Sequence, residues 1–249
     1  LGDAMHGDRV EARVERRQRT NGFASRAEGR ILRVTGRAHP TVVGIFHRGR
    51  QGNIVRPYEA RILHEIVILP GHELPAEPGQ KRGVSGPVSH GDLDGAVVDV
   101  EITRFPGPGI APAGRIVEVL GRPDDFGVDV EILIRKHHLP HRFPDAVIEE
   151  ARRVALPVGD SDLEGRRDFR HLPIVTIDGE SARDFDDAVY VERRPEGWHL
   201  AVHIADVAHY VSRNSALDGE ARLRGTSVYF PNRAVPMLSE GLSAGICSL

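Results

Sequence analysis

A nine-residue block, Gly29-Arg30-Ile31-Leu32-Arg33-Val34-Thr35-Gly36-Arg37, returns 85 positions later as Gly114-Arg115-Ile116-Val117-Glu118-Val119-Leu120-Gly121-Arg122. The copies agree as Gly-Arg-Ile, then Val, then Gly-Arg, so the chain builds one structural unit twice. Ahead of each copy lies a Gly/Asp turn and an alternating apolar run: Gly7-Asp8-Arg9-Val10-Glu11-Ala12-Arg13-Val14 and Asp94-Gly95-Ala96-Val97-Val98-Asp99-Val100. Alternation with a period of two, broken by turn residues, reads as strand, loop, strand. Further short β-rich runs at Val42 to Phe46 and Ile66 to Leu69 lie between Gly and Pro turns. Several short strands in so few residues suggest a small closed barrel of the OB or cold-shock type over residues 41–121. Residues 1–40 then read as the last strands of a first, incomplete barrel.

After the second copy the pattern changes, and residues 122–165 read as a linker with one helix. Pro144 and Asp145 suit a first helical turn, Val147, Ile148, Ala151, Val154 and Ala155 recur at helical spacing, and Arg152-Arg153 suits the negative end of the helix dipole. Pro157 and Gly159 terminate the run. Residues 166–249 alternate strand-like and helix-like segments: Pro173 to Ile177, Ala188 to Val191 and Trp198 to Ile204 as strands, with a helix over Ala216 to Leu223 ending at Gly225. They read as the N-terminal part of a larger α+β domain. The chain is therefore expected to be multidomain, with all-β barrels ahead of an α+β portion.

Cys247 is the single cysteine, which excludes an internal disulfide and a thiolate-rich zinc site and points to a reducing, cytoplasmic setting. No apolar run approaches the roughly 18 residues of a membrane span. The net charge is −3, yet residues 1–40 carry nine Arg against five Asp or Glu. A basic face beside an acidic pocket suits a metal-dependent nuclease, though a modest imbalance also suits solvated surface. Leu1 in place of Met and the abrupt end at Leu249 read as cut ends.

The segment with the most chemistry is Thr176-Ile177-Asp178-Gly179-Glu180-Ser181-Ala182-Arg183-Asp184-Phe185-Asp186-Asp187-Ala188, with four aspartates inside ten residues. One closes a strand-like run and three gather where the next strand begins. Hard oxygen ligands at this density suit Mg²⁺ or Mn²⁺, and a cation would relieve the repulsion among them. Two cations about 3.5 to 4 Å apart can activate water and stabilise the leaving oxygen of a phosphodiester. A solvated acidic turn remains the alternative; an EF-hand Ca²⁺ loop fits less well, since its Gly and distal Glu are out of register. Arg183 could contact phosphate or simply relieve the local charge.

The run from Leu172 to Val189, His203-Ile204-Ala205-Asp206-Val207, Arg224-Gly225-Thr226-Ser227-Val228-Tyr229-Phe230-Pro231 and Val235-Pro236-Met237-Leu238 through to Leu249 resembles the ribonuclease II and ribonuclease R (RNB) family. The likeness is nearer to ribonuclease R and extends through Ala4-Met5-His6-Gly7-Asp8, both Gly-Arg-Ile units and Arg135-Lys136-His137-His138-Leu139-Pro140. It implies tandem cold-shock domains followed by the N-terminal part of an RNB catalytic domain. The implied activity is processive 3′ to 5′ hydrolysis of single-stranded RNA with Mg²⁺, releasing nucleoside 5′-monophosphates. By the same resemblance Asp178, Asp184, Asp186 and Asp187 hold metal, Asp187 with Asp186 carries the chemical step, and Tyr229 stacks on the 3′-terminal nucleotide. Arg183 joins Tyr229 as a candidate RNA contact.

The family's domain continues past the position of Leu249 with an arginine and a glutamate near the scissile phosphate, another aromatic stack and an S1 domain. The chain alone is therefore expected to be inactive or nearly so. Its expected partner is single-stranded RNA, with no membrane, no DNA and a monomeric state. Two competing readings are an RNA-binding protein with a non-catalytic acidic metal site, and a scaffold that binds protein through barrel edges. Among other residues, His137, His138 and His141 read as linker positions rather than a metal cluster, His203 and Asp206 as neighbours of the acidic segment, and Trp198 as core. Arg30 and Arg115 could face RNA or water.

Overall fold

The computed structural model describes residues 3–18, 26–50, 52–75, 93–179, 182 and 184–249. The chain divides into two compact units, Leu1–His138 and Leu139–Leu249. Among the described residues no helix is long and apolar enough to cross a membrane.

The first unit opens with the antiparallel hairpin β1 (Arg9–Gln18) and β2 (Arg26–Gly36). Five strands follow, β3 (Thr41–His47), β4 (Asn53–Pro57), β5 (Ile66–Ile68), β6 (Val97–Arg104) and β7 (Ala113–Gly121), closed into a barrel of order β3-β4-β5-β7-β6. β5 and β7 pair in parallel, and the other neighbours are antiparallel. This is the Greek-key OB arrangement, and closure removes the free edges that would otherwise invite aggregation. Its interior is filled by Phe46, Val55, Ile66, Ile68, Val98, Val100 and Ile116, all fully buried.

The repeat is visible in the pairing register. Val14 opposes Gly29, Arg13 opposes Arg30 and Ala12 opposes Ile31 in β1–β2. In β6–β7, Ile102 opposes Gly114, Glu101 opposes Arg115 and Val100 opposes Ile116. The repeated glycine has a steric reason. A Cβ on Gly29 would lie 2.7 Å from the Arg13 carbonyl oxygen, and one on Gly114 would lie 2.4 Å from a Val100 methyl and 2.6 Å from the Glu101 carbonyl oxygen.

Residues 122–165 hold three helices where one was expected. The additional pair are α1 (Val128–Lys136) and the single turn α3 (Asp160–Leu163), on either side of α2 (Asp145–Val154). Val128, Val130, Ile132 and Ile134 alternate as in a strand, which hides α1. Tertiary burial selects the helix: Val128 packs with Val43, Val97 and Leu120 on the outside of the barrel. Arg135 of α1, its side chain 6% exposed, reaches Glu118 of β7 at 2.7 Å and Glu131 at 2.6 Å. Asp99 of β6 is also buried, and one carboxylate oxygen finds no partner among the described residues. Burial pushes its carboxyl up to about 6, with Arg135 opposing and Glu118 reinforcing the rise.

The second unit contains α2, α3, a hairpin of β8 (Asp187–Arg194) and β9 (Gly197–Ile204), the turn α4 (Val207–Tyr210), and α5 (Ala216–Arg224). A short hairpin, β10 (Val228–Phe230) with β11 (Arg233–Val235), and a wide turn over Leu242–Ile246 complete it. Its core joins Val147 and Ala151 of α2 to Leu217, Leu238, Leu242 and Cys247. Ser215 caps α5 by accepting from the Asp218 amide at 3.2 Å, and Gly225, at φ 73°, ends it. Pro173 to Ile177 forms no full strand. Val175 makes one bridge to Val189 instead, because Pro173 lacks a donor and Gly179 follows closely. Trp198, expected in the core, is 70% exposed; it shares its face with Leu200, Val202 and Ile204, which are exposed as well.

Gly114→Ala should destabilise the first unit by about 2 kcal/mol in urea unfolding followed by circular dichroism, since neither backbone can retreat. A raised carboxyl favours the proton-bound fold, so stability should increase as pH falls through 6 toward 4. Asp99→Asn should remove that slope and stabilise the unit at pH 7.5 by at most about 3 kcal/mol. An unchanged slope in the variant would show that another group is titrating.

Candidate functional site

The described part of the acidic segment leads into β8. Asp178 is exposed and lies just beyond the Val175–Val189 bridge, whereas Asp187 begins β8 opposite Ile204 of β9. Between them the chain is held by hydrogen bonds from distant segments. The Asp186 carbonyl accepts from the Ala205 amide at 2.9 Å, at the end of β9. The Phe185 amide donates to Ser248 Oγ at 3.1 Å, and its carbonyl accepts from the Leu249 amide at 2.9 Å. The Asp184 carboxylate accepts from the Tyr229 phenol at 2.5 Å, across 45 positions of sequence.

The structure thus brings Tyr229 to Asp184, two of the residues singled out from sequence. Tyr229 sits on β10 opposite Ala234, with the residue 66% exposed. Donation to Asp184, together with partial burial and the charge of that carboxylate, pushes the phenol above its ordinary pKa. Arg183 lies outside the described residues. No local sequence pattern marks Ser248 and Leu249, because their role is contact with the Phe185 backbone, 63 positions earlier than Ser248.

Asp178, Asp186 and Asp187 have no ion-pair partner among the described residues, whereas several other acids of this unit pair with arginine. Asp206 pairs with Arg166 at 2.6 Å, Asp168 with Arg170 at 2.7 Å, Asp218 with Arg222 at 3.1 Å and Glu220 with Arg224 at 2.8 Å. The uncompensated carboxylates suit a hard divalent cation by donor type and by charge. Among the described residues, no three His, Cys, Asp or Glu side chains converge closely enough to hold one. A cation would have to draw the aspartates together.

The β10–β11 hairpin that carries Tyr229 hangs from Arg224. This side chain, 2% exposed, pairs with Glu220, donates to the carbonyls of Pro236 at 3.0 Å and Arg142 at 2.9 Å, and lies 3.7 Å over the Phe143 ring. His203 packs edge-on against Phe169. In the first unit, His138 Nε2 lies 3.1 Å from His39 Nδ1, and Arg13, Arg30 and Arg115 are exposed. Arg115 is ion-paired with Glu101.

Residues 166–249 match the RNB domain family and residues 87–144 match the cold shock domain family. Ribonuclease R of Thermotoga maritima is 43% identical over 99% of this chain, and ribonuclease R of Acidithiobacillus ferrooxidans is 41% identical over 98%. The chain spans 32% of the first relative and 52% of the second. Among solved structures, Mycoplasma genitalium RNase R, in complex with ribose-methylated single-stranded RNA, matches 99% of this chain and 36% of its own at a TM-score of 0.81 and 25% identity.

Arg224→Met should cost the second unit about 3 kcal/mol, because Glu220 is left buried without its cation. Urea unfolding followed by circular dichroism measures the loss, and a midpoint shift within error would refute the assignment.

Proposed function

We propose that this chain, which belongs to the ribonuclease R family by sequence and fold, supplies the acidic half of the active site in a 3′ to 5′ exoribonuclease acting on single-stranded RNA. The observation that carries this reading is the contact of Tyr229 with Asp184 inside the RNB match. It sets an exposed aromatic face directly beside the carboxylate segment. Aromatic faces stack on unpaired bases whatever their identity. A terminal base resting on Tyr229 brings its phosphodiester toward Asp184, Asp186 and Asp187, and Arg183 is the candidate contact to the phosphate. The first unit contributes exposed arginines on β1, β2 and β7, which suit phosphate contacts that follow the strand without reading sequence.

Asp178, Asp184, Asp186 and Asp187 would hold Mg²⁺, or Mn²⁺ in its place. Bound there, the cation would neutralise phosphate charge and supply a more acidic water. Asp187, with Asp186, is assigned to the chemical step by the resemblance to the RNB family, and β8 pairing and the Ala205 amide hold the backbone of this pair at the strand entrance. Attack of water on the terminal phosphodiester then releases a nucleoside 5′-monophosphate. The absence of three converged ligands among the described residues favours a second reading, an RNA-binding protein whose acidic segment does no chemistry.

The two readings separate in a chimaera in which this chain replaces the matching segment of Thermotoga maritima ribonuclease R. Mononucleotide release is expected, with Asp187→Asn lowering it by more than about a hundredfold. RNA affinity should be unchanged or higher, and should fall steeply with salt in the wild-type chain. Hydrolysis that survives Asp187→Asn would defeat the site assignment; a chimaera that binds RNA without cleaving it would favour the second reading.

A further inference from the structure

We infer that Ser248 is a positioning residue for the acidic segment, setting the directions of Asp184 and Asp186 through the backbone of Phe185. The inference rests on the proposed function, and it assigns a role to a side chain that acts through the Phe185 backbone.

Phe185 stands between two of the candidate ligands. Its amide belongs to the peptide plane shared with Asp184, and its carbonyl to the plane shared with Asp186. Ser248 Oγ takes the first and the Leu249 amide takes the second, at 3.1 and 2.9 Å. Since peptide units are rigid planes, fixing both restricts the backbone on either side. The Cα–Cβ bonds of Asp184 and Asp186 follow from that backbone. The neighbouring restraints continue the same line: Tyr229 holds the Asp184 carboxylate, and Ala205 holds the Asp186 carbonyl.

The hydroxyl is presented from a fixed support. Cys247 is buried in the core with Leu242 and Leu217, and its amide donates to the Leu242 carbonyl at 2.9 Å. The Ser248 amide donates to Gly245 at 3.0 Å. Ser248 therefore transmits the rigidity of the α2–α5 core to a loop whose carboxylates repel one another. With the Phe185 backbone held, a cation that draws the aspartates together has less of the segment to order.

Mn²⁺ titration of the 249-residue chain, followed by electron paramagnetic resonance below its melting temperature, tests this. Ser248→Ala should weaken Mn²⁺ binding about tenfold, the lower range for residues that orient ligands from behind. Ser248→Thr, which keeps the hydroxyl, should restore it to within about twofold. Ser243→Ala removes a hydroxyl that bonds to Ser239 in the same wide turn, and should leave affinity within about twofold of wild type while changing stability comparably. Equal affinity in Ser248→Ala and wild type would overturn this inference alone. A wild-type chain that binds no Mn²⁺ would overturn the metal reading and this inference with it. Should Ser248→Ala not fold, amide exchange in the wild type decides: a protected Phe185 amide together with Thr rescue supports the role, and an unprotected one removes it.

Discussion

The anchoring of a carboxylate-rich segment to an apolar core is the constraint on which the geometry of the candidate site depends. Asp184, Asp186 and Asp187 fall within four positions, and Asp178 is brought near the same strand by the Val175–Val189 bridge. Left free, such a segment would straighten and scatter its charges. It is held by groups from three separate places: the end of β9, the β10 strand, and the segment after the wide turn. Each of those supports is tied to the core. Ser248 follows buried Cys247, and β10–β11 is suspended from Arg224, which spans α5, the Pro236 carbonyl and the Phe143 ring. The local geometry of the candidate site therefore depends on packing between α2 and α5, although neither helix contributes a site residue.

The first unit solves a different problem, the close approach of twisted strands. Gly29 and Gly114 occupy the same register position in β1–β2 and β6–β7, and at both a side chain would strike the opposing backbone. One pairing thus repeats with little demand on the remaining residues. Arg13 and Arg30 face one another where Glu101 and Arg115 form an ion pair, so the two hairpins share geometry and differ in charge. The cross-strand pair of arginines places positive charge in the open on the first hairpin.

Legibility from sequence followed the range of the deciding interaction. The barrel was readable because alternation and turn glycines are local, and α2 and α5 because their caps and apolar stripes lie within a few residues. β4 escaped notice because Asn53–Pro57 is short and ends in proline. α1 escaped because Val128 to Ile134 alternate like a strand, and only the barrel's outer face, with Arg135 between Glu118 and Glu131, favours the helix. Trp198 was misplaced in the core for a related reason: a large aromatic on an alternating strand signals burial only if something covers that face. At the site, the aspartates and Tyr229 were legible as residue types in a familiar order. Their contact across 45 positions, and the use of Ser248 across 63, were not.

The described restraints on the acidic segment share one chemical character. Elsewhere in the unit arginine pairs with some of the acids, as at Asp168, Asp206, Asp218 and Glu220, while Glu150 accepts from the Leu217 amide. Among the described residues, the restraints on the segment are a phenol, a hydroxyl and two backbone amides, all neutral. An arginine would orient a carboxylate equally well, but it would occupy the oxygens and cancel the charge that attracts a cation. Neutral donors fix position while leaving most of that charge in place. On the proposed function, such donors would keep the carboxylates ordered and still available to a divalent cation.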